Sequence, residues 1–495
     1  MSGLDMVYYE TGNPSILSDA YSTANGAPIL DDCESDWTLH SVEQEGGGII
    51  FEGERDLDTK DSHDWPLNAD DVEYTLPTRV AAAWGDEELV SYHMNKRVGA
   101  AITLFGDVPP PTDVLADIKA EPGMQSYDVA PVDYLIPTNT TTYEITCLNS
   151  TQLEALGVPT NVSHVVGFEA IIDTDTEPHI HHLVLKGYTD ESCMGLSSDI
   201  YVWASGSPSG QAMPDEAGFR FGFDRENDFK SIGVETHYDN PTAIEGLLDS
   251  SGVRVFWTEN LRQYDAGVMQ LGDPFVLLST EPEPGLPMGK SMYSFSCPSS
   301  CTEEFQDESV TVFLQSLHMH EAGARMVTRH YRNDELYRVA EVEYYDFRYS
   351  GAFPVNVVDV TIERGDRFET DCYYETSDQK TFGLGSENEM CIDFLYYYPA
   401  QELPTGGYCG FGGTDDNSEF TGDLCGGEMT GFSALPEDSD LGRTFGLDDG
   451  GVCEVLEEEG TLSGAPRAMG HAGDVGLWVT AAVAGAGALA ASWAL

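Results

Sequence analysis

The chain has 495 residues, of which 86 are acidic and 23 basic, giving a formal net charge of −63. A surface of this sign repels phosphate backbones, so the composition argues against nucleic acid as a partner. The acids are spread along the whole chain and 41% of the residues are hydrophobic, which is enough for two to four folded domains.

Residues 1–110 are predicted to form one β domain. Alternating stretches such as "GIIFEGERDL" and "AAITLFG" are broken by Gly, Asp and Pro, as expected for strands joined by turns. The first twenty residues lack the basic and apolar regions of a signal peptide, so we expect the natural start to lie upstream. The Pro-rich "DVPPPTDV" predicts a linker, which we place at residues 111–124.

Short strands continue from about residue 125 to 410, with almost no apolar stripe of helical period. Examples are "HHLVLKGY", "SIGVETHY", "VTVFLQSLHMH" and "MCIDFLYYYP". This pattern predicts an all-β protein built from β-sandwich domains. We place the two domains at residues 125–283 and 284–428.

The end of the chain has a different composition. Residues 429–474 are rich in Gly and acids and predict a flexible stalk, and residues 475–495 form an uncharged hydrophobic tail. Small residues, a short polar spacer and a terminal apolar segment describe a GPI-anchor signal. A retained transmembrane helix is the alternative, and both interpretations attach the protein to a membrane through this tail.

The cysteines and glycosylation motifs favour the secretory pathway. There are ten cysteines and no CxxC pair, which suits disulfides better than a zinc ribbon or a thioredoxin site. Three Asn-x-Ser/Thr motifs predict glycosylation at Asn139, Asn149 and Asn161. We therefore expect an extracellular or lumenal location.

The segment "HIHH" at residues 179–182 contains three of the 12 histidines. Alone, this cluster is compatible with a surface patch, a pH-sensitive loop or a metal site. Adjacent His181 and His182 point to opposite faces of a regular strand, so joint ligation needs a bulged or twisted strand. Together with His237, in "ETHYDNP", they would form an all-imidazole site.

A second candidate site combines His318 and His320, in "LHMHEAG", with Met390, in "ENEMC". Residues two apart on a strand face the same side, so both imidazoles are able to reach one ion. Two imidazoles and one thioether form a soft, open site that suits copper, especially Cu(I), better than zinc.

In this order, these motifs resemble the copper type II ascorbate-dependent monooxygenases, in particular their dopamine β-hydroxylase and monooxygenase-X branch. "TTYEITC", "PDEAGFRFG", "CPSSCTEEF" and "YYYPAQELPTGGYC" agree with the same family. "DDCESDWTLHSVEQEGGGIIFEGERDLDTKD" resembles the later half of a DOMON domain, so residues 1–110 are expected to be a partial DOMON domain. The resemblance covers about residues 20–425.

The resemblance implies two copper ions per chain, with ascorbate as the reductant. His181, His182 and His237 would hold the electron-donating copper. The copper that binds O2 and faces the substrate would be held by His318, His320 and Met390. The implied reaction hydroxylates an activated C–H bond of a small organic substrate, with the second oxygen atom leaving as water, and the family resemblance is compatible with a homodimer.

The resemblance also implies disulfide pairings. The implied pairs are Cys147–Cys193, Cys372–Cys391, Cys297–Cys409, Cys301–Cys425 and Cys33–Cys453.

One departure and two rival interpretations bear on function. Gln270 stands where the amine hydroxylases of the family carry an acid. This difference weakens the case for a pocket that recognises amines, so the sequence does not determine the substrate. A cell-surface copper- or ligand-binding β-sandwich protein without turnover is the main alternative. A zinc hydrolase is disfavoured because the sequence has no HExxH or comparable motif.

Overall fold

The computed structural model describes residues 114–409 with short gaps, and parts of 4–102, 429–436 and 476–494. Strands dominate these residues, which confirms the predicted all-β class. The helices found in them are α1 (Ala116–Ala120), α2 (Ser150–Ala155), α3 (Ser299–Glu303) and a 3-10 turn (Glu177–His179).

The N-terminal region contributes seven described strands. They are β1 (Leu4–Tyr8), β2 (Ser18–Ser22), β3 (Ile29–Leu30), β4 (Thr38–Glu45), β5 (Gly48–Asp56), β6 (Thr78–Ala83) and β7 (Arg97–Ile102). The first three form one antiparallel sheet, β4 pairs with β5, and β6 pairs with β7. The assignment of this region to a DOMON domain stays a prediction.

The next strands build a first β-sandwich. They are β8 (Gln125–Val129), β9 (Tyr134–Leu135), β10 (Thr141–Leu148), β11 (Ser163–Ile171), β12 (Ile180–Tyr188), β13 (Ser197–Ala204), β14 (Gly210–Ala212), β15 (Ala217–Phe221), β16 (Ser231–Asp239), β17 (Leu248–Asp249), β18 (Gly252–Thr258) and β19 (Tyr264–Asp265). One sheet has the order β10-β16-β12-β13, and the other has β19-β15-β11-β18-β8 with β14 beside β11.

In the first sandwich, successive side chains of a strand point alternately into the core and toward the outer face of the sheet. Leu183 and Leu185 of β12 are fully buried in one cluster with Phe168 and Val255 of the opposite sheet. Because side chains alternate across a strand, the intervening residues of β12 point away from this core. The four-stranded sheet therefore keeps an outer face on which other groups are displayed.

Helix α1 lies inside the predicted linker and is packed against the first sandwich. Leu115 and Ile118 are buried in a cluster with Val166 and Phe256. At Gly167 a Cβ would lie 3.0 Å from the side chain of Leu115, so this glycine permits the close approach. The chain is thus anchored to the sandwich before its first strand begins.

A second β-sandwich follows. Its strands are β20 (Gly267–Gly272), β21 (Gly289–Cys297), β22 (Ser309–Met319), β23 (Gly323–Arg332), β24 (Glu335–Val342), β25 (Phe353–Pro354), β26 (Val360–Glu363), β27 (Arg367–Thr376), β28 (Cys391–Tyr398), β29 (Tyr408–Cys409) and β30 (Met429–Ala434). Its sheets run β25-β22-β28-β20-β29, with β26 beside β22, and β24-β23-β27-β21-β30.

Two strands lie outside the range predicted for this second domain. Strand β20 precedes residue 284, yet it is hydrogen-bonded to β28. Strand β30 falls in the predicted stalk, and it pairs with β21 along the edge of the five-stranded sheet. The core between the two sheets includes Leu271, Leu395 and Phe368 at one end and Leu317 and Met326 at the other.

The predicted hydrophobic tail contains β31 (Gly476–Val483) and β32 (Leu489–Ala494). These strands pair with each other, and β31 pairs with β5. In the part of the chain that the structure describes, no helix is long and apolar enough to cross a membrane. Membrane attachment through this tail stays a prediction.

Three of the implied disulfides are formed in the structure, namely Cys147–Cys193, Cys297–Cys409 and Cys372–Cys391. Cys301 is also disulfide-bonded. Its implied partner Cys425, together with Cys33 and Cys453, lies outside the described residues.

Candidate metal centre

A bulge in β12 brings three histidines together on the outer face of the four-stranded sheet. Ile180 pairs with Tyr238 and His182 pairs with His237, so His181 is an extra residue on one strand. The extra residue rotates the chain locally, and adjacent side chains then project to the same side. One ring nitrogen from each of His181, His182 and His237 lies within 4.8 Å of the others.

The chemistry of this cluster fits a metal ion with imidazole ligands. Nδ1 of His181 faces Nδ1 of His182 at 3.0 Å. Both ring nitrogens of buried His237 lack a hydrogen-bond partner; Asp239 Oδ1 lies 3.1 Å from Nε2, but not in hydrogen-bonding geometry. Buried polar atoms are normally paired, so these unpaired nitrogens mark the space that a metal would fill.

His182 of this cluster is held in the neutral form that ligates metals. Burial is the main reason that the pKa of His182 lies well below its usual value, and nearby His237 and His181 lower it further. Neutral imidazole is the state that binds metals, so we expect protons to compete less with a metal ion for this ring.

His318 lies on the cleft-facing side of β22, and His320 directly follows the end of this strand. Their ring centroids are 5.1 Å apart. His318 pairs with Ile392 and Met319 pairs with Cys391, and continuing this register by one pair sets His320 opposite Met390. Side chains of the same parity share a face, so the two imidazoles and the thioether are directed to one side. Burial lowers the pKa of His318 to about 4.

Glu389 and Asn388 support the second site, and sequence reasoning assigned neither a role. The fully buried carboxylate of Glu389 accepts the backbone N–H groups of His320, at 3.1 Å, and Ala322, at 2.5 Å. Nδ1 of His320 lies 3.2 Å from the carbonyl oxygen of Asn388. With Nδ1–H donating to that carbonyl, Nε2 carries the free lone pair. The available signal was the position of Glu389 directly before the predicted ligand Met390.

The two sets of side chains face one cleft between the sandwiches. Burial is the main cause that lowers the pKa of His182, and electrostatic repulsion from His318 and His320 of the other sandwich also lowers it. Met390 and Phe394 of the second sandwich belong to the same buried cluster as the core of the first. The ring of Phe394 lies 6.2 Å from that of His318. Met390 and Phe394 therefore form an apolar wall of the cleft beside the histidines.

A charged group lines the same cleft beyond the histidines. Lys186 Nζ lies 3.1 Å from Asp199 Oδ1 and 4.0 Å from Glu235 Oε1. Burial opposes the charge on Lys186, but the two carboxylates outweigh it and raise the pKa of the ammonium. Across the cleft, Gln270 is buried on β20 and pairs with Phe394.

The predicted glycosylation motifs lie in the first sandwich. Asn139 and Asn161 are exposed. Asn149 caps α2 by accepting the N–H of Gln152 through its side-chain oxygen, which leaves the amide nitrogen outside that bond. Modification of the three positions stays a prediction.

Two family models match the chain. The N-terminal domain of copper type II ascorbate-dependent monooxygenase matches residues 127–245, and the C-terminal domain of the same family matches residues 264–411. Both matches fall on the two sandwiches that carry the histidine clusters. The chain therefore belongs to the copper type II ascorbate-dependent monooxygenase family.

Individual relatives agree with this family. DBH-like monooxygenase protein 1 of Homo sapiens is 29% identical over 416 residues, covering 78% of this chain and 64% of the relative. The Gallus gallus protein of the same name is 30% identical over 437 residues, covering 81% and 66%. Dopamine beta-hydroxylase of Equus caballus is 27% identical over 425 residues, covering 80% and 66%. The chain thus spans about two thirds or slightly less of these relatives.

Proposed function

We propose that this protein is a copper-dependent monooxygenase that hydroxylates an activated C–H bond of a small organic substrate, with O2 as oxidant and ascorbate as electron donor. The observation that carries the proposal is the pair of ligand sets on two facing sheets, one of three imidazoles and one of two imidazoles opposite a thioether. The family membership supports the same reaction class.

Each ligand set would hold one copper ion. His181, His182 and His237 would hold the first, and His318, His320 and Met390 the second. When bound, each copper supplies one electron, and the ion with the soft, open coordination also offers a site for dioxygen. Two ions are needed because reductive activation of O2 for one hydroxylation consumes two electrons.

The protein's own residues would orient the ligands and exclude water. Glu389 fixes the backbone of His320. The Asn388 carbonyl would accept a hydrogen bond from Nδ1–H of His320, which would leave the Nε2 lone pair free to hold a copper ion. Phe394 and Ile392 give the cleft an apolar wall, which keeps solvent away from the reacting C–H bond.

The substrate would enter between β20 and the outer face of the four-stranded sheet. The Lys186–Asp199–Glu235 group would meet its polar end, and Gln270 offers a neutral amide where the family's amine hydroxylases carry an acid. A simple amine would be recognised by an acid at position 270. The neutral Gln270 therefore supports a substrate other than a simple amine.

The protein is proposed to work in an oxidising compartment, extracellularly or in the lumen of the secretory pathway. The three disulfides among the described residues support this location, because such bonds persist where thiols are not kept reduced. The glycosylation motifs favour the same compartment.

The test is oxygen uptake by the copper-loaded protein with ascorbate, screened across phenethylamines, peptidyl-glycines and other benzylic or aliphatic compounds. His318→Ala and His320→Ala should each abolish product formation, since each removes a ligand from the open site. A protein that binds two coppers but consumes no substrate in the screen would favour the alternative, a non-catalytic copper-binding protein. Turnover retained in the His318→Ala/His320→Ala double variant would overturn the proposal.

A further inference from the structure

Asp249, at the end of the short strand β17, is a fully buried acid of the first sandwich. Its Oδ1 accepts hydrogen bonds from the hydroxyls of Thr176, at 2.5 Å, and Ser251, at 2.7 Å. Its Oδ2 accepts the hydroxyl of Tyr238, at 2.7 Å, and the backbone N–H of Ser251, at 3.1 Å. Four donors thus converge on one carboxylate, and hydrogen bonds to a charged acceptor are about twice as strong as neutral ones.

Two of these donors belong to the chain segments that carry the three-histidine cluster. Tyr238 directly follows His237 on β16. Thr176 precedes the 3-10 turn Glu177–His179, which leads directly into β12 and its two histidines. The carboxylate of Asp249 therefore links the end of one ligand-bearing strand to the start of the other.

The linked segments meet at one side of the bulge in β12. Ile180 pairs with Tyr238, and regular pairing resumes only after His181. A bulged residue lies outside the ladder, so the pair that precedes it depends on other contacts for its position. Tyr238 receives two such contacts, the hydrogen bond to Asp249 and a stack on Tyr134 with ring centroids 5.3 Å apart. Both come from one small sheet, because Tyr134 of β9 pairs with Asp249 of β17.

We propose that Asp249 is a positioning residue for the three-histidine copper site. By holding Tyr238 and Thr176 at once, its carboxylate fixes how β16 and the start of β12 approach each other, and thereby where the three imidazoles stand. This inference rests on the proposed function, because it requires a copper ion at that cluster. It deepens that function by assigning the geometry of the site to a side chain that is not a ligand.

The experiment measures the Cu(I) dissociation constant of each site in the full chain, by competition with a chromogenic Cu(I) chelator. A His318→Ala/His320→Ala background isolates the three-histidine site, and a His237→Ala background isolates the other site. Asp249→Asn keeps the shape of the side chain, but its amide nitrogen is unable to accept a hydrogen bond. In the first background it should raise the dissociation constant about 10- to 100-fold, as is typical when the group that orients a metal ligand is altered. In the second background it should leave the constant unchanged.

Two milder substitutions cut the links one at a time. Tyr238→Phe keeps the ring on Tyr134 and removes the hydroxyl that donates to Asp249. Thr176→Val keeps the shape of the side chain and removes the other hydroxyl. Each should weaken copper binding at the three-histidine site by a smaller factor than Asp249→Asn. These two variants decide the question if Asp249→Asn does not fold.

Asp366→Asn is the matched control. Asp366 is a buried acid of the second sandwich that accepts hydrogen bonds from His330 and Arg332. Its replacement should lower the stability of the copper-free protein in urea unfolding, as Asp249→Asn does, but leave copper binding at the three-histidine site unchanged. A loss of copper affinity in Asp366→Asn equal to that in Asp249→Asn would show general loosening and would overturn the positioning role.

The outcomes distinguish this inference from the proposed function. A wild-type copper content that His237→Ala does not lower would overturn both, because the three histidines would then hold no copper. Wild-type protein with copper at both sites, together with unchanged affinity at the three-histidine site in all three variants of the Asp249 links, would overturn the role of Asp249 alone. Equal weakening of both sites by Asp249→Asn would also overturn that role.

Discussion

Met390 and Met269 are two buried methionines of the second sandwich with different surroundings. Met269 is packed in the core between the sheets. Met390 directly precedes β28 and belongs to the buried cluster that extends from the first sandwich into the second. A thioether in the core contributes only packing, and one beside imidazoles is able to bind Cu(I). The two residues therefore provide a matched comparison.

Met390→Ile should remove hydroxylation while costing little stability. The exchange roughly conserves volume and apolarity, so the free energy of unfolding of the copper-free protein should fall by less than about 1.5 kcal/mol. X-ray absorption of the reduced, copper-loaded protein should lose its copper–sulfur scattering. Met269→Ile is the control and should retain that scattering. An active Met390→Ile variant would contradict the ligand assignment.

The stability of the copper-free protein should depend on pH through His318. Its folded pKa is about 4, below the usual value of 6.5, because burial disfavours the charged ring. Between pH 6.5 and about pH 4, the His318 ring is protonated in the unfolded chain but neutral in the folded chain. The stability that this group contributes is therefore lost as the pH falls through this range.

The comparison of wild-type protein with His318→Ala isolates this effect. In urea unfolding, the wild-type protein should lose free energy of unfolding relative to the variant between about pH 7.5 and about pH 5. Groups such as Glu389, whose pKa burial raises to about 7, titrate in both proteins and largely cancel. A difference that does not change with pH would contradict the buried, neutral state of His318.

At the scale of the elements, the bulge in β12 decides whether the first site forms. From His182 to Tyr188 the strand pairs with β16 in one continuous register, and only the step from Ile180 to His182 is irregular. The irregularity in the pairing of β12 with β16 is therefore confined to His181, one of the proposed ligands. The rest of the strand holds the core side chains in place whether or not the bulge exists.

Deletion of His181 should abolish the bulge and one copper site together. The register of β12 with β13 begins at His182, so the fold should remain and the copper content should fall from two ions to one. His179→Ala is the control: it alters the same "HIHH" motif, but His179 Nδ1 contacts the Asp239 carbonyl and the ring is not in the cluster. Two coppers bound after deletion of His181 would show that it is not a ligand.

At the scale of the whole molecule, the acidic surface is the dominant electrostatic feature. The 86 acidic and 23 basic side chains give a net charge of −63, and such self-repulsion destabilises the compact state. Acids outnumber bases nearly fourfold, so there are too few basic side chains to pair with each acid. Salt should therefore stabilise this protein more than one of balanced charge.

The melting temperature of the copper-free protein should rise with sodium chloride. Raising the ionic strength from about 0.01 M to about 0.15 M shortens the screening length from about 30 Å to about 8 Å, which weakens repulsion between the surface acids. Differential scanning calorimetry measures the shift, and an equal osmolality of sucrose controls for general solute effects. A melting temperature that stays constant or falls in salt would contradict this account.

The sequence by itself determined the features that depend on local spacing. The all-β class follows from short alternating runs, and the His318-x-His320 pair follows from the period of two along a strand, which places both rings on one face. The cysteine pairs and the ligand set came from the family resemblance, which orders motifs along the chain. These properties need no knowledge of which strands are neighbours.

Only the tertiary structure decided how distant segments meet. Whether His181 and His182 converge depends on the register of β12 against β16, and the position of Met390 opposite His320 depends on the register of β28 against β22. The ring of Phe347 lies 4.8 Å from that of His181 and 5.1 Å from that of His320. The nearby Tyr345 hydroxyl is hydrogen-bonded to the carbonyl of Met319 on β22. Such contacts are set by packing and hydrogen bonding between segments far apart in the chain, and periodicity within one segment carries no information about them.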